Sequence, residues 1–175
     1  MNDFERTTTQ AIESVWQRTP HPFQLKVMYY VISMRCKPNK PAATLLIQRA
    51  RSGKSRTHQQ IDVIDAGVVL VIDTTLSLGA DQVTKIRNTL STVGYVSARL
   101  LGGAKLIASR SQLIKHITSM TSSSNHTTFL FTSPKALLQP CWYDMTKVMI
   151  NKKMLKIMYI DEARQFVDFG TSFRK

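Results

Sequence analysis

Two short groups of residues in this chain have the types and spacing of a phosphate-handling site. Asp161 and Glu162 directly follow the apolar run Leu155–Ile160. An Asp-Glu pair at the end of a buried strand places a carboxylate that can hold Mg²⁺ next to one that can activate water. The second group is the triplet Gly53-Lys54-Ser55, which follows an apolar run at residues 43–47. Together the two groups predict the two halves of a nucleoside-triphosphate site.

The Gly53-Lys54-Ser55 triplet has the form of the end of a phosphate-binding loop. Backbone amides at a helix start attract phosphate oxygens, the lysine neutralises them, and the serine hydroxyl reaches Mg²⁺. The segment departs from the full loop pattern because Gln48 stands where a small residue is expected, and Arg51 stands where glycine is common. Two interpretations stay open, a loop that binds phosphates and a degenerate loop that no longer binds them well.

The rest of the chain alternates between strand-like and helix-like segments, which predicts an α/β fold with a mostly parallel sheet flanked by helices. We expect a single domain over residues 1–175, with residues 1–41 as a helical lead-in. Both chemical groups would then lie at the carboxyl ends of strands, where ligand sites of parallel sheets gather. Predicted strands lie at residues 43–47, 68–72, 95–101, 128–131 and 155–160. Predicted helices lie at residues 2–18, 23–35, 54–65, 81–93, 106–120 and 141–151.

The charge balance favours a polyanionic partner. The chain has 24 Lys and Arg residues against 11 Asp and Glu residues, which gives a formal net charge of +13. Such a charge attracts nucleic acids and makes their binding sensitive to salt. A basic protein without a nucleic-acid ligand has the same composition, so this alternative stays open.

Composition also disfavours several classes of protein. No run approaches the roughly 18 apolar residues of a membrane span, so we expect no membrane partner. The amino terminus lacks the pattern of a secretory signal. Cys36 and Cys141 stand far apart without metal-ligand spacing, and a reducing intracellular compartment fits. The four histidines are scattered, so we assign them no catalytic role.

Six segments, taken in chain order, resemble motifs of the first RecA-like lobe of superfamily-two helicases, most closely the RecQ-like ATP-dependent DNA helicases. The resemblance covers nearly the whole chain and implies a three-layer RecA-like P-loop domain. The matching segments are Pro22-Phe23-Gln24 (adenine-recognising motif), Gly53-Lys54-Ser55 (motif I), residues 73–83 (motif Ia, S-P-L-x-S-L-x-x-D-Q-V), residues 129–137 (motif Ib), residues 161–164 (motif II) and residues 169–174 (the aromatic-rich loop W-G-H-D-F-R).

The resemblance implies ATP and Mg²⁺ as cofactors and assigns residues to each. Gln24 would contact the adenine base. Asp161 would organise Mg²⁺ together with a serine of the loop, and Glu162 would orient or deprotonate the attacking water. Lys54 would hold the β- and γ-phosphates and belongs with Asp161 and Glu162 to the implied catalytic set. The implied nucleotide-binding loop consists of Ser52, Gly53, Lys54 and Ser55, with the Ser55 hydroxyl on the metal.

The resemblance also implies a nucleic-acid surface, for DNA rather than RNA. Hydroxyls there would contact the phosphate backbone, and aromatic rings would stack on exposed bases. The implied residues are Ser77, Thr132, Ser133, Phe169, Phe173 and Arg174. Ser77 and Thr132 are equally consistent with loop or capping residues, and the two phenylalanines with core packing.

The sequence departs from the family pattern in motifs that carry the implied chemistry. Arg164 replaces the usual histidine of motif II, and an arginine cannot switch its charge near neutral pH. Phe169, Thr171 and Lys135 also replace the usual residues of their motifs. We expect a second RecA-like lobe, absent from this sequence, to be needed for unwinding. The two functions that remain are an ATP-binding helicase lobe and a basic nucleic-acid-binding module with a degenerate nucleotide site. Either would be intracellular, and nuclear in a eukaryote.

Overall fold

The computed structural model describes residues 3–35, 53–60, 66–90, 96–102, 107–119 and 126–161. The chain divides into two compact units, Met1–Asp65 and Ala66–Lys175. The first unit contains the helices α1 (Asp3–Trp16), α2 (Pro22–Arg35) and α3 (Lys54–Gln60). The second unit contains the strands β1 (Val68–Ile72), β2 (Val96–Leu100), β3 (Thr127–Thr132) and β4 (Leu155–Ile160), and the helices α4 (Leu76–Leu90), α5 (Ile107–Ser119), α6 (Pro134–Leu137) and α7 (Pro140–Asn151).

In the first unit, α1 packs against α2 through one face. Ile12 is buried on α1, and the ring of Phe4 meets the ring of Tyr29 on α2 edge-on, with centroids 5.1 Å apart. The helix stops where Gln17 takes a left-handed conformation with a φ of 50°. These contacts confirm the predicted amphipathic helix at the amino terminus and its inward position at Ile12.

The second unit is built on a four-stranded, all-parallel sheet with the strand order β2-β3-β1-β4. β1 and β3 are the two central strands, and all their residues are buried. Continuous apolar or β-branched runs such as Val68–Ile72 suit strands that are covered on both faces. Helices flank this sheet, so the coarse α/β prediction is confirmed.

The hydrophobic core of the second unit lies between the sheet and α5 and α7. Leu70 and Leu130 contribute from the central strands, while Ile117 of α5 and Trp142 of α7 pack against them. Met145, Met149 and Met154 belong to the same core, where their flexible side chains can fill irregular gaps.

Two local signals explain where α6 and α7 begin and end. The Ser133 side chain accepts a hydrogen bond from the Ala136 N–H, and Pro134 occupies the first turn of α6. α7 ends with the Met154 N–H bonded to the Met149 carbonyl and with Lys153 in a left-handed conformation (φ 55°). This is the Schellman arrangement, in which glycine is the usual residue at the left-handed position.

Most predicted elements are confirmed within the described ranges, and one boundary is wrong. α4 begins at Leu76 rather than at Asp81. Thr75 caps the helix, because its hydroxyl accepts from the Leu78 N–H at 3.3 Å. Asp81 therefore lies beyond the first turn of α4. The predicted strand at residues 43–47 and the end of the predicted helix at residues 61–65 lie outside the described residues.

None of the described helices is long and apolar enough to cross a membrane.

Candidate functional site

Gln24 is held at both ends of its side-chain amide within the first unit. Its Oε1 accepts from the backbone N–H of His21 at 2.8 Å, and its Nε2 donates to the Gly53 carbonyl at 2.8 Å. Only 1 % of the residue is exposed. The bond to His21 is the returning half of a capping box, since His21 precedes α2 and Gln24 is its third residue. Gln24 therefore has a capping role at the start of α2. The predicted adenine contact of Gln24 stays a prediction.

Gly53 directly precedes α3, in a conformation that favours glycine. Its φ is +89°, and a Cβ at this position would lie 3.2 Å from Gln24 Nε2. A side chain would therefore strain the backbone and crowd the amide. The Gly53 carbonyl also accepts from the Arg56 N–H at 3.1 Å, which starts the helix. Lys54 and Ser55, the first two residues of α3, are both partly exposed.

The body of α3 is polar and yet buried. Its last four residues are Thr57, His58, Gln59 and Gln60, and all of them are buried. Burial lowers the pKa of His58 from 6.5 to about 3, because the imidazolium would lose its hydration. His58 is therefore neutral at physiological pH.

In the second unit, two aspartates come from adjacent strand ends. Asp73 follows β1 and Asp161 follows β4, at the point where Ile72 and Ile160 are register partners. The Asp161 N–H donates to the Ile72 carbonyl at 3.0 Å, and the Asp73 N–H donates to the Thr132 carbonyl at 2.8 Å. The backbone ladder thus continues past the strands and fixes both residues at the carboxyl edge of the sheet.

Both carboxylates are shielded from water, with 1 % of Asp73 and 9 % of Asp161 exposed. Burial, and then the negative charge of Asp161, raise the pKa of Asp73 to about 6. Asp73 Oδ2 accepts no hydrogen bond within the described part of the chain. A buried carboxylate oxygen without a donor is unfavourable unless a proton or a cation balances it.

The donor chemistry of this edge fits Mg²⁺, which prefers oxygen ligands and commonly uses one or two carboxylates. Asp161 is placed there as predicted. Asp73 was not assigned from the sequence, although the signal was present: like Asp161, it is the first residue after a buried apolar run. No group of three or more His, Cys, Asp or Glu side chains suited to a metal occurs among the described residues.

The three predicted nucleic-acid hydroxyls within the described ranges differ in accessibility. Ser77 is exposed in the first turn of α4, where its Oγ lies 3.1 Å from the Thr75 hydroxyl. Thr132 is buried and directs its hydroxyl to the Ser133 carbonyl, at 3.3 Å. Ser133 caps α6. Of these, only Ser77 presents an accessible hydroxyl.

The remaining assigned residues lie outside the described residues. They are Ser52, Glu162, Phe169, Phe173 and Arg174, together with the departures at Gln48, Arg51 and Arg164. The described edge therefore includes Asp161, and its Mg²⁺ role, like the catalytic role of Glu162, stays a prediction.

No protein-family model matches this chain, and no curated protein matches it.

Proposed function

We propose that this chain is the ATP-binding lobe of a RecQ-like DNA helicase, with a three-layer RecA-like P-loop fold. In this function the lobe binds ATP and couples its hydrolysis to unwinding when joined to a second RecA-like lobe. The parallel sheet supports the proposal, because phosphate-handling sites of such sheets lie at the carboxyl edge. Asp161 is found at that edge.

The observation that carries the proposal is the hydrogen bond between Gln24 and Gly53. These residues are 29 positions apart and belong to the two segments that the family resemblance assigns to the base and to the phosphates. Their contact brings the amino-terminal part of α2 to the start of α3. A nucleotide needs its base and its phosphates recognised by neighbouring groups, and this contact provides such neighbours.

The proposed chemistry depends on positioning and on charge neutralisation. Lys54 and the backbone at the start of α3 would bind the phosphates, and the family resemblance assigns Ser55 and Asp161 to Mg²⁺. When bound, Mg²⁺ supplies neutralisation of the charge that develops on the phosphate oxygens. Glu162 would orient or deprotonate the attacking water.

Isothermal titration of Mg²⁺-ATP tests the proposal directly. We expect saturable binding to the parent chain and a loss of affinity in Lys54→Ala. The matched control is Lys26→Ala, which removes an exposed lysine of α2 in the same unit and should leave the affinity unchanged. Absence of ATP binding to the parent chain would overturn the proposal.

The net charge of +13 supports a second candidate, a basic nucleic-acid-binding module with a degenerate nucleotide site. This candidate predicts binding of single-stranded DNA that is indifferent to ATP and falls steeply with salt. Fluorescence anisotropy at several salt concentrations, with and without Mg²⁺-ATP, separates the two functions. An effect of nucleotide on DNA affinity favours the helicase lobe, and a negligible salt slope counts against the module.

A further inference from the structure

The carboxyl edge of the sheet contains a buried carboxylate, Asp73, to which the nucleotide-site motifs assign no role. Asp73 and Asp161 extend from paired strands at matching positions, and the Asp161 N–H is bonded to the residue before Asp73. Neighbouring strands lie about 4.8 Å apart, so residues at matching positions direct their side chains from adjacent points of the same edge. The two carboxylates are therefore close neighbours rather than separate surface acids.

The Asp73 carboxylate is poorly balanced by the protein itself. Its Oδ2 is buried and receives no hydrogen bond from the residues that the structure describes. The Asp161 carboxylate places a second negative charge beside it. A cation between the two carboxylates would remove both penalties at once.

Helix α4 passes close to this oxygen at a glycine. A Cβ on Gly79 would lie 2.9 Å from Leu100 Cδ1 and 3.3 Å from both Asp73 Oδ2 and Phe131 Cβ. Any larger residue would therefore press on the carboxylate, and Gly79 lets α4 pass without displacing Asp73 from the sheet edge.

We propose that Asp73 is a second carboxylate ligand of the divalent cation at Asp161, so that Mg²⁺ or Mn²⁺ bridges the ends of β1 and β4. This inference rests on the proposed function, which assigns Asp161 to the metal. Hard divalent cations take oxygen ligands, and the charge of the ligand set tunes their affinity. A two-carboxylate edge should therefore bind the cation in the absence of nucleotide.

Titration of the full chain with Mn²⁺, followed by the electron paramagnetic resonance signal of the free ion, tests this site. No nucleotide is added. We expect saturable binding to the parent chain and an affinity lowered about tenfold or more in Asp73→Asn and in Asp161→Asn. Asp144→Asn removes an exposed carboxylate of α7 and should bind Mn²⁺ like the parent chain. Equal Mn²⁺ affinity in Asp73→Asn and the parent chain would overturn the inference.

Thermal unfolding with and without Mn²⁺ gives a second readout. Because the ion binds only the folded edge, it should raise the melting temperature of the parent chain but not that of Asp73→Asn or Asp73→Ser. The two substitutions guard against a folding defect in either one. An equal Mn²⁺-induced rise in the parent chain and in a folded Asp73 variant would refute the site.

The two proposals fail in different ways. Mn²⁺ binding that depends on Asp73, together with no ATP binding to the parent chain, would retain the cation site and reject the nucleotide function. ATP binding that depends on Lys54, together with Mn²⁺ binding indifferent to Asp73, would retain the function and reject the second ligand.

Discussion

The Gln24 side chain joins the first turn of α2 to Gly53, the residue before α3. Its Nε2 donates a 2.8 Å hydrogen bond to the Gly53 carbonyl. The same amide accepts from the His21 N–H. One buried side chain thus satisfies a helix cap and holds the end of the predicted phosphate loop. A substitution can remove one of these two hydrogen bonds and keep the other.

Gln24→Glu should destabilise the first unit while keeping the cap. A carboxylate can still accept from the His21 N–H, but it has no donor for the Gly53 carbonyl. The Gly53 carbonyl keeps its bond from the Arg56 N–H, but the second oxygen of the buried carboxylate has no donor, which costs about 1–3 kcal/mol of unfolding free energy. Urea denaturation measures the loss.

Gln10→Glu on the exposed face of α1 is the matched control for the change of charge. We expect it to alter the unfolding free energy by no more than about 0.5 kcal/mol. Equal effects of the two substitutions would show that the bond to Gly53 contributes nothing.

The predictability of the fold follows the strength of local patterns. Val68–Ile72 and Thr127–Thr132 are continuous buried runs, and their strands were predicted almost to the residue. α4 was predicted to start late because its first turn, Leu76 onward, is capped by Thr75 within a segment that reads as a loop. α6 was not predicted, since four residues are too few for a periodic pattern.

Site residues that directly follow a strand could be predicted from the sequence. Contacts between residues that are distant in the chain were harder to predict. Asp161 was assigned from its position after an apolar run, and the same reasoning applies to Asp73. The pairing of the two depends on β1 and β4 being neighbours, which strand patterns alone do not determine. The contact of Gln24 with Gly53 is also a long-range relationship. Motif order implied that both belong to one site, but it did not give the bond.

Lys153→Gly should stabilise the second unit. Lys153 holds a φ of 55° at the end of α7, where a side chain is strained and glycine is not. Replacement should raise the unfolding free energy by up to about 1 kcal/mol, because relief of left-handed strain outweighs the entropy that glycine gains on unfolding. Thermal or urea unfolding checks the change.

Lys152→Gly tests whether the gain depends on conformation. Lys152 has a φ of −81°, so glycine relieves no strain there and only adds freedom to the unfolded chain. We expect a loss of stability in this variant. A gain of similar size in both variants would contradict the conformational explanation.

We expect acid to destabilise the first unit because His58 is buried. Its folded pKa is lowered to about 3 by burial, whereas the unfolded side chain titrates near 6.5. The unfolded state therefore binds a proton first, and stability present above pH 6.5 is lost as the pH falls toward 3. Between pH 7 and pH 5 the contribution amounts to up to about 2 kcal/mol.

His58→Gln should remove this part of the pH dependence, because glutamine does not titrate. The comparison requires urea unfolding at pH 7 and pH 5 for the parent chain and the variant. His21→Gln, at an exposed position, should retain the slope of the parent chain. Parallel slopes for the parent chain and His58→Gln would reject a buried neutral His58.

We expect Arg87 to stabilise β2 at the edge of the sheet. β2 has a strand neighbour on one side only within the described sheet, and Arg87 of α4 donates from Nε (3.2 Å) and Nη2 (2.9 Å) to the Ala98 carbonyl. Arg87→Lys keeps the charge but loses the planar pair of donors. We expect it to lower the unfolding free energy by about 1 kcal/mol, the net value of a typical hydrogen bond.

Arg99→Lys, an exposed change on β2 itself, should have almost no effect in the same urea titration. If both variants unfold like the parent chain, the guanidinium does not anchor the edge strand.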